Sequence, residues 1–209
     1  MASGDPNVFL FVPNIIGYVR VLLSAMFVLL LPRSPLGAAL CYVLSAAMDA
    51  VDGMAARWLN QGSRLGAMLD MLTDRCSLLC LQLNLALLYP AAAPLLQLSV
   101  CLDVASHWLH MHTAVLEGAE SHKNVGQEGN RLLQLYYGNK ALLFTLCAAN
   151  EGFFCCLYLE YFYGGSWALI AMRVALLPLA VLKAVLNGLQ LIQAAKRLAA
   201  IDVRERKKC

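Results

Sequence analysis

The 209-residue chain is 60% hydrophobic and only 14% charged, with a net charge of +3 and a mean hydropathy of +0.64. A water-soluble domain carries about 25% charged residues, so these values exclude an ordinary aqueous globule and point to lipid as the solvent. At about 20 apolar residues per crossing, the chain holds about six helices and no separate soluble domain, so residues 1–209 read as one domain.

The N-terminal residues do not read as a cleaved signal. Met1–Val8 contains Asp5 and no Lys or Arg, whereas a secretory n-region is basic. Asn7–Val12 reads as a short amphipathic interfacial helix, and the apolar stretch that follows continues through Arg20 as a first span, Asn14–Leu31. Five more spans are expected at Pro35–Arg57, Gly66–Tyr89, Pro94–His112, Lys140–Phe162 and Trp167–Ala195. Pro32, Pro35, Pro90 and Pro94 mark tight connections, where a fixed φ and a missing N–H suit turns. The fold class is therefore all-α, a polytopic membrane protein with six transmembrane helices and a short N-terminal interfacial helix.

Basic residues set the expected orientation. With a cytosolic N-terminus, the cytosolic segments and span ends hold Arg57, Arg64, Lys123, Arg131, Lys140, Lys196, Arg197, Arg204, Arg206, Lys207 and Lys208. The opposite face keeps only Arg33 among connecting residues. That asymmetry is the positive-inside pattern. Seven of the eight cysteines, among them Cys76, Cys80 and Cys156, lie mostly in apolar stretches and read as small hydrophobes.

The chemistry concentrates at the junction of spans two and three. Asp49 and Asp52 are three residues apart, and Asp70 and Asp74 four apart; both spacings place a pair on one helix face. The short loop Trp58–Leu65 makes the two helices antiparallel neighbours, so four carboxylates converge near the cytosolic surface. Bare anions at such a site repel one another and are costly in a span. All-oxygen ligands suit Mg²⁺ or Mn²⁺, and a two-metal site clamps the attacking and leaving oxygens of a phosphoryl displacement. Gly53 and Gly66 carry no Cβ and let a phosphate approach the backbone.

Asp49-x2-Asp52-Gly53-x2-Ala56-Arg57-x8-Gly66-x3-Asp70-x3-Asp74 resembles the complete signature of the CDP-alcohol phosphatidyltransferase family, with eight fixed positions over 26 residues. Pro13-Asn14-Ile15-Ile16-Gly17-Tyr18-Val19-Arg20 is similar to the first-span element of that family, although many members carry a hydroxyl residue where this chain has Gly17. Phe9–Asn14, Leu59–Arg64, Leu102–His110 and Glu120-Ser121-His122-Lys123 narrow the resemblance to the animal members that use myo-inositol as acceptor.

The resemblance implies a six-helix homodimer in the endoplasmic reticulum membrane, with its active site toward the cytosol. It implies transfer of a phosphatidyl group from CDP-diacylglycerol to myo-inositol with release of CMP. Asp49, Asp52 and Asp70 would hold one metal and Asp49, Asp70 and Asp74 surround a second, with Asp74 as general base. The CDP group would contact Gly53 and Arg57, with Ser63 and Asn14 nearby. From the residues themselves, Asp103 and His107 share a face of span four with His110. They read either as buried helix-to-helix hydrogen bonds or as acceptor contacts. Arg173 and Lys183 within span six read as counter-charges or, for Arg173, an acceptor or phosphate contact. Glu151 and Glu160 are expected only to meet water. Two rival readings are a sibling enzyme using serine, glycerol phosphate or diacylglycerol, and a cation transporter built on the Asp cluster.

Overall fold

The computed structural model describes residues 6–117, 131–164 and 166–207. Glu120-Ser121-His122-Lys123 and the tail residues Lys208 and Cys209 lie outside the described residues. All regular structure among the described residues is helical. Seven α-helices are present among the described residues, in order α1 Val12–Leu30, α2 Pro35–Trp58, α3 Arg64–Leu88, α4 Ala93–Leu116, α5 Arg131–Gly138, α6 Lys140–Phe162 and α7 Trp167–Arg206. Five of them, α1, α2, α3, α6 and α7, are long and apolar enough to cross a membrane. Helix α4, expected as another span, has the length but carries Asp103, His107, His110 and His112, which lower its apolar content.

Three features depart from expectation. The segment expected as an interfacial helix forms a single 3-10 turn over Val8–Leu10, capped by the Asn7 side chain. Helix α5 was not anticipated, because its eight residues stand apart from any long apolar run. Helix α7 continues past Ala195 to Arg206; its 40 residues reach roughly 60 Å at 1.5 Å per residue, so its charged end continues as helix beyond the apolar stretch.

The chain divides into two compact units. The first runs to Asn84 and includes Tyr161–Gly164; the second holds Leu85–Glu160 and the chain beyond Gly164.

In the first unit, local signals fix where each helix starts and stops. Ser34 caps α2 by accepting from the Gly37 N–H, with Pro35 at the first helical position. At the other end of α2, Asn60 takes φ 51°, the left-handed conformation that Asn tolerates better than most residues. The Gln61 N–H then reaches back to the Ala56 carbonyl at 3.0 Å, which closes α2 as a Schellman motif. Three residues later the Ser63 hydroxyl accepts from the Gly66 N–H at 2.9 Å and starts α3. A helix stop and a helix start so close together turn the chain back sharply. Side-chain contacts knit α1 to both neighbours: Phe27 meets Tyr42 edge-on at 5.1 Å, and Ser77 Oγ lies 2.8 Å from Ser24 Oγ.

In the second unit, Leu133, Tyr136, Leu146 and Leu186 form a buried cluster joining α5, α6 and α7. A polar ladder joins α4 to α7. Lys183 Nζ, 1% exposed, donates to Asn187 Oδ1 at 2.6 Å, and Asn187 Nδ2 donates to Asp103 Oδ1 at 2.9 Å. Gln190 adds a bond to the Ser106 carbonyl at 3.2 Å. A buried Lys and a buried Asp are thus linked through one amide, which lowers the cost of burying each charge.

Candidate functional site

The four carboxylates predicted to converge do so, around a cation that spacing arguments overlooked. Arg20, on α1, is 1% exposed. Its Nη1 lies 2.8 Å from Asp49 Oδ1, 2.6 Å from Asp52 Oδ2 and 2.6 Å from Asp70 Oδ1, and its Nη2 lies 2.5 Å from Asp74 Oδ1. The signal was present in the sequence: a charge inside an apolar span ordinarily faces a polar interior. Asn14, Gly17 and Arg20 also recur every three residues, which places them along one side of α1.

One guanidinium does not neutralise four carboxylates. Four negative charges against one positive leave an excess of three, eased at one edge by Arg75, 3.8 Å from Asp74. Oxygens of Asp49, Asp70 and Asp74 lie within 4.8 Å of one another and form a set that could hold a metal ion. Only oxygen donors are on offer, with excess negative charge and partial exposure, which fits a hard divalent cation. Asp52 is the least exposed of the four side chains, at 12%.

Beside the cluster lies a pocket of about 200 Å³, lined in part by Asn14, Asp52, Gly53, Ser63, Gly66 and Asp70. Three of the four predicted donor contacts, Gly53, Ser63 and Asn14, therefore share one cavity. The fourth, Arg57, is not among its walls; its guanidinium folds back over Gly53, 3.6 Å from where a Cβ would stand. Fully buried Asn14 ties the pocket together. Its Nδ2 donates to the Val8 carbonyl at 2.6 Å and lies 3.3 Å from Ser63 Oγ. Gln61 Oε1 accepts from the Val12 N–H at 2.9 Å, so the loop before α3 and the start of α1 hold each other. Gly66 is needed for this fit: a Cβ there would lie 2.6 Å from Asn14 Oδ1 and 3.1 Å from Ser63 Oγ.

The candidate acceptor residues all lie in the second unit. Asp103 accepts from Asn187, and His107 Nδ1 sits 2.8 Å from the Asp103 carbonyl and 3.5 Å from its carboxylate. Arg173 pairs with Glu160, Nε to Oε2 at 2.6 Å. Glu160, expected to meet only water, instead pins the α6–α7 hairpin. At the α4 end of this unit His110 stacks on Tyr137 at 5.5 Å, and Arg197 forms a paired salt bridge with Glu117. Burial raises the Tyr137 phenol above the ordinary tyrosine range.

Comparison with known proteins agrees with the signature. The family model for CDP-alcohol phosphatidyltransferases matches residues 10–186. A Homo sapiens protein named CDP-diacylglycerol–inositol 3-phosphatidyltransferase is 51% identical over 209 residues, with 98% of each chain covered. Proteins of the same name from Drosophila melanogaster and Saccharomyces cerevisiae are 45% and 41% identical, over 205 and 202 residues. They cover 96% and 95% of this chain, and 90% of their own length in each case. No solved structure matches the chain. The chain belongs to the CDP-alcohol phosphatidyltransferase family.

Proposed function

We propose that the chain synthesises phosphatidylinositol by transferring the phosphatidyl group of CDP-diacylglycerol to myo-inositol, with release of CMP. The observation that carries the chemistry is the convergence of Asp49, Asp52, Asp70 and Asp74 beside a glycine-lined pocket. The choice of inositol rests on full-length relatives whose name states that acceptor.

In this reading the carboxylates hold Mg²⁺ or Mn²⁺, with Asp49, Asp70 and Asp74 around one ion and Asp52 joining Asp49 and Asp70 at a second. Bound divalent cations supply charge stabilisation to the phosphoryl oxygens as the transition state forms. The chain's own residues do the rest. The pocket around Gly53, Gly66, Asn14 and Ser63 seats the cytidine diphosphate group, and Arg57 at its edge offers paired donors to phosphate. Asp74 takes the proton of an inositol hydroxyl. That oxygen forms a bond to the phosphorus attached to diacylglycerol, the bond from this phosphorus to the CMP oxygen breaks, and CMP departs with the electron pair. Arg20 keeps the four carboxylates aimed at one point between turnovers. Asp103 and Arg173 act as ties between helices, through Asn187 and Glu160, and His107 braces Asp103 within α4.

Residues 1–209 form one membrane domain in this account, supported by a single family model that runs through both compact units. Helix α4 is the sixth span; its 24 residues reach roughly 36 Å, longer than the hydrocarbon core. The exposed apolar turn Val8–Leu10 rests at the membrane interface. The chain works as a homodimer in the endoplasmic reticulum membrane with its carboxylate end toward the cytosol, a reading supported by the bias of basic residues.

The test is an acceptor panel. Purified chain with CDP-diacylglycerol labelled in its diacylglycerol part is offered myo-inositol, serine, glycerol phosphate or diacylglycerol. The expected result is a labelled lipid product with inositol alone. A product with another alcohol and none with inositol would move the chain to a sibling activity.

A further inference from the structure

The first unit contains a second cavity that the carboxylate chemistry leaves unused. It is a groove of about 340 Å³ between α1 and α3, walled by Val21, Ala25, Val28, Leu72 and Cys76, with Leu69 at one end. Ser24, Thr73 and Ser77 also stand in its wall, yet their hydroxyls are engaged inside the protein. Thr73 donates to the Leu69 carbonyl at 2.7 Å, Ser77 to the Thr73 carbonyl at 2.7 Å, and Ser24 Oγ lies 2.8 Å from Ser77 Oγ. What the groove presents is hydrocarbon. An apolar occupant therefore strands no polar group, whereas a polar one would lose its hydration without replacement.

The groove and the pocket beside the carboxylates share one wall residue. Leu69 lines both cavities. It leans directly on Gly17, where a Cβ would lie 2.6 Å from Leu69 Cδ2 and 3.3 Å from Cγ. On the near side of Leu69 are Asp52, Asp70, Asn14 and Ser63. On the far side the wall follows α3 as far as Cys80, eleven residues on, a run of roughly 16 Å. A pocket with Asp52 and Asp70 in its wall beside a long apolar groove, with one leucine common to both, matches a molecule with a charged head and a hydrocarbon tail.

We propose that one acyl chain of the nucleotide-activated lipid lies in the α1–α3 groove, with Leu69, seated on Gly17, as the threshold between head group and tail. This deepens the function proposed above and rests on it. Gly17 then has a defined part: it gives Leu69 room to stand back from the head-group pocket.

The experiment compares long-chain CDP-diacylglycerol with its dihexanoyl form, in mixed micelles, for the full chain and for Ala25→Phe and Cys76→Phe. Each substitution puts a ring into the groove from a position exposed in the protein. The ratio of kcat/KM for the long-chain donor to that for the short-chain donor is expected to fall about tenfold or more, the scale on which a hydrophobic pocket rejects misfitting bulk. A second arm uses a long-chain donor with a diazirine on one acyl chain and locates the photo-adducts by peptide mass spectrometry. Adducts within Val21–Val28 or Leu69–Cys80 are expected. An unchanged ratio with adducts only elsewhere overturns the groove while leaving the reaction intact. A change of oligomeric state in Ala25→Phe with an unchanged ratio also overturns it and assigns the groove to a second copy of the chain. No turnover of either donor by the unsubstituted chain refutes the function reading instead, and with it the occupant.

Discussion

Replacing Arg20 with methionine keeps most of the side-chain volume and removes the cation that four carboxylates share. Each of Asp49, Asp52, Asp70 and Asp74 loses a contact of 2.8 Å or less, and they are left facing one another. Breaking a buried ion pair by deleting one partner costs about 3–5 kcal/mol. Asp49, Asp70 and Asp74 are 39%, 45% and 30% exposed, so water screens part of the repulsion and the low end, about 3 kcal/mol, applies. For a chain of this size that is roughly 6–12 °C in midpoint. The assay is thermal loss of the monodisperse detergent-solubilised peak, followed in chelator and again with Mg²⁺ or Mn²⁺. Arg20→Met is expected to lose that margin in chelator and to regain much of it when a divalent cation supplies the missing positive charge. Arg20→Lys, a point charge without the planar fork, is expected to fall between the two. Equal stability of Arg20→Met and the unsubstituted chain in chelator would refute the reasoning, because the carboxylates would then not depend on Arg20.

Three further outcomes follow from individual contacts. Asp74→Asn is expected to fold and bind nucleotide lipid yet lose about 10²–10⁴ of its turnover, the usual contribution of a general base; near-normal turnover would remove Asp74 from that role. Gly66→Ala forces a Cβ to within 2.6 Å of Asn14 Oδ1, so KM for the lipid donor should rise with little change in melting, and an unchanged KM would count against the pocket as its seat. Asn187→Leu cuts the link between buried Lys183 and Asp103 and should lower stability by about 3 kcal/mol or more, read as the midpoint of the same thermal assay; unchanged melting would show that the ladder contributes little.

Much of the carboxylate site was legible because helical spacing is local information. Three- and four-residue intervals put Asp49 with Asp52 and Asp70 with Asp74, and a short loop turned one pair toward the other. Arg20 was not reached by that argument, since its partners stand 29 to 54 positions away and only packing of α1 against α2 and α3 brings them together. The helix-to-helix role of Asp103 and the counter-charge role of Arg173 were legible, but the same limit hid their partners, Asn187 and Glu160, which stand on other helices. Long helices were readable as long apolar runs. Helix α5 was not, because eight residues give too short a window for periodicity. The short helix expected over Asn7–Val12 forms as a 3-10 helix confined to Val8–Leu10, because so few apolar residues in sequence do not fix the type of helix or its ends.

The central claim is that the carboxylate cluster transfers a phosphatidyl group to inositol with the help of a divalent cation. The most direct measurement supplies the purified chain with CDP-diacylglycerol and labelled myo-inositol, and follows lipid-borne label and CMP together, with Mg²⁺ or Mn²⁺ and then with chelator. One CMP is expected for each labelled lipid formed, with both lost in chelator and in Asp70→Asn. Label entering lipid equally well in chelator, or CMP released without labelled lipid, would contradict the claim.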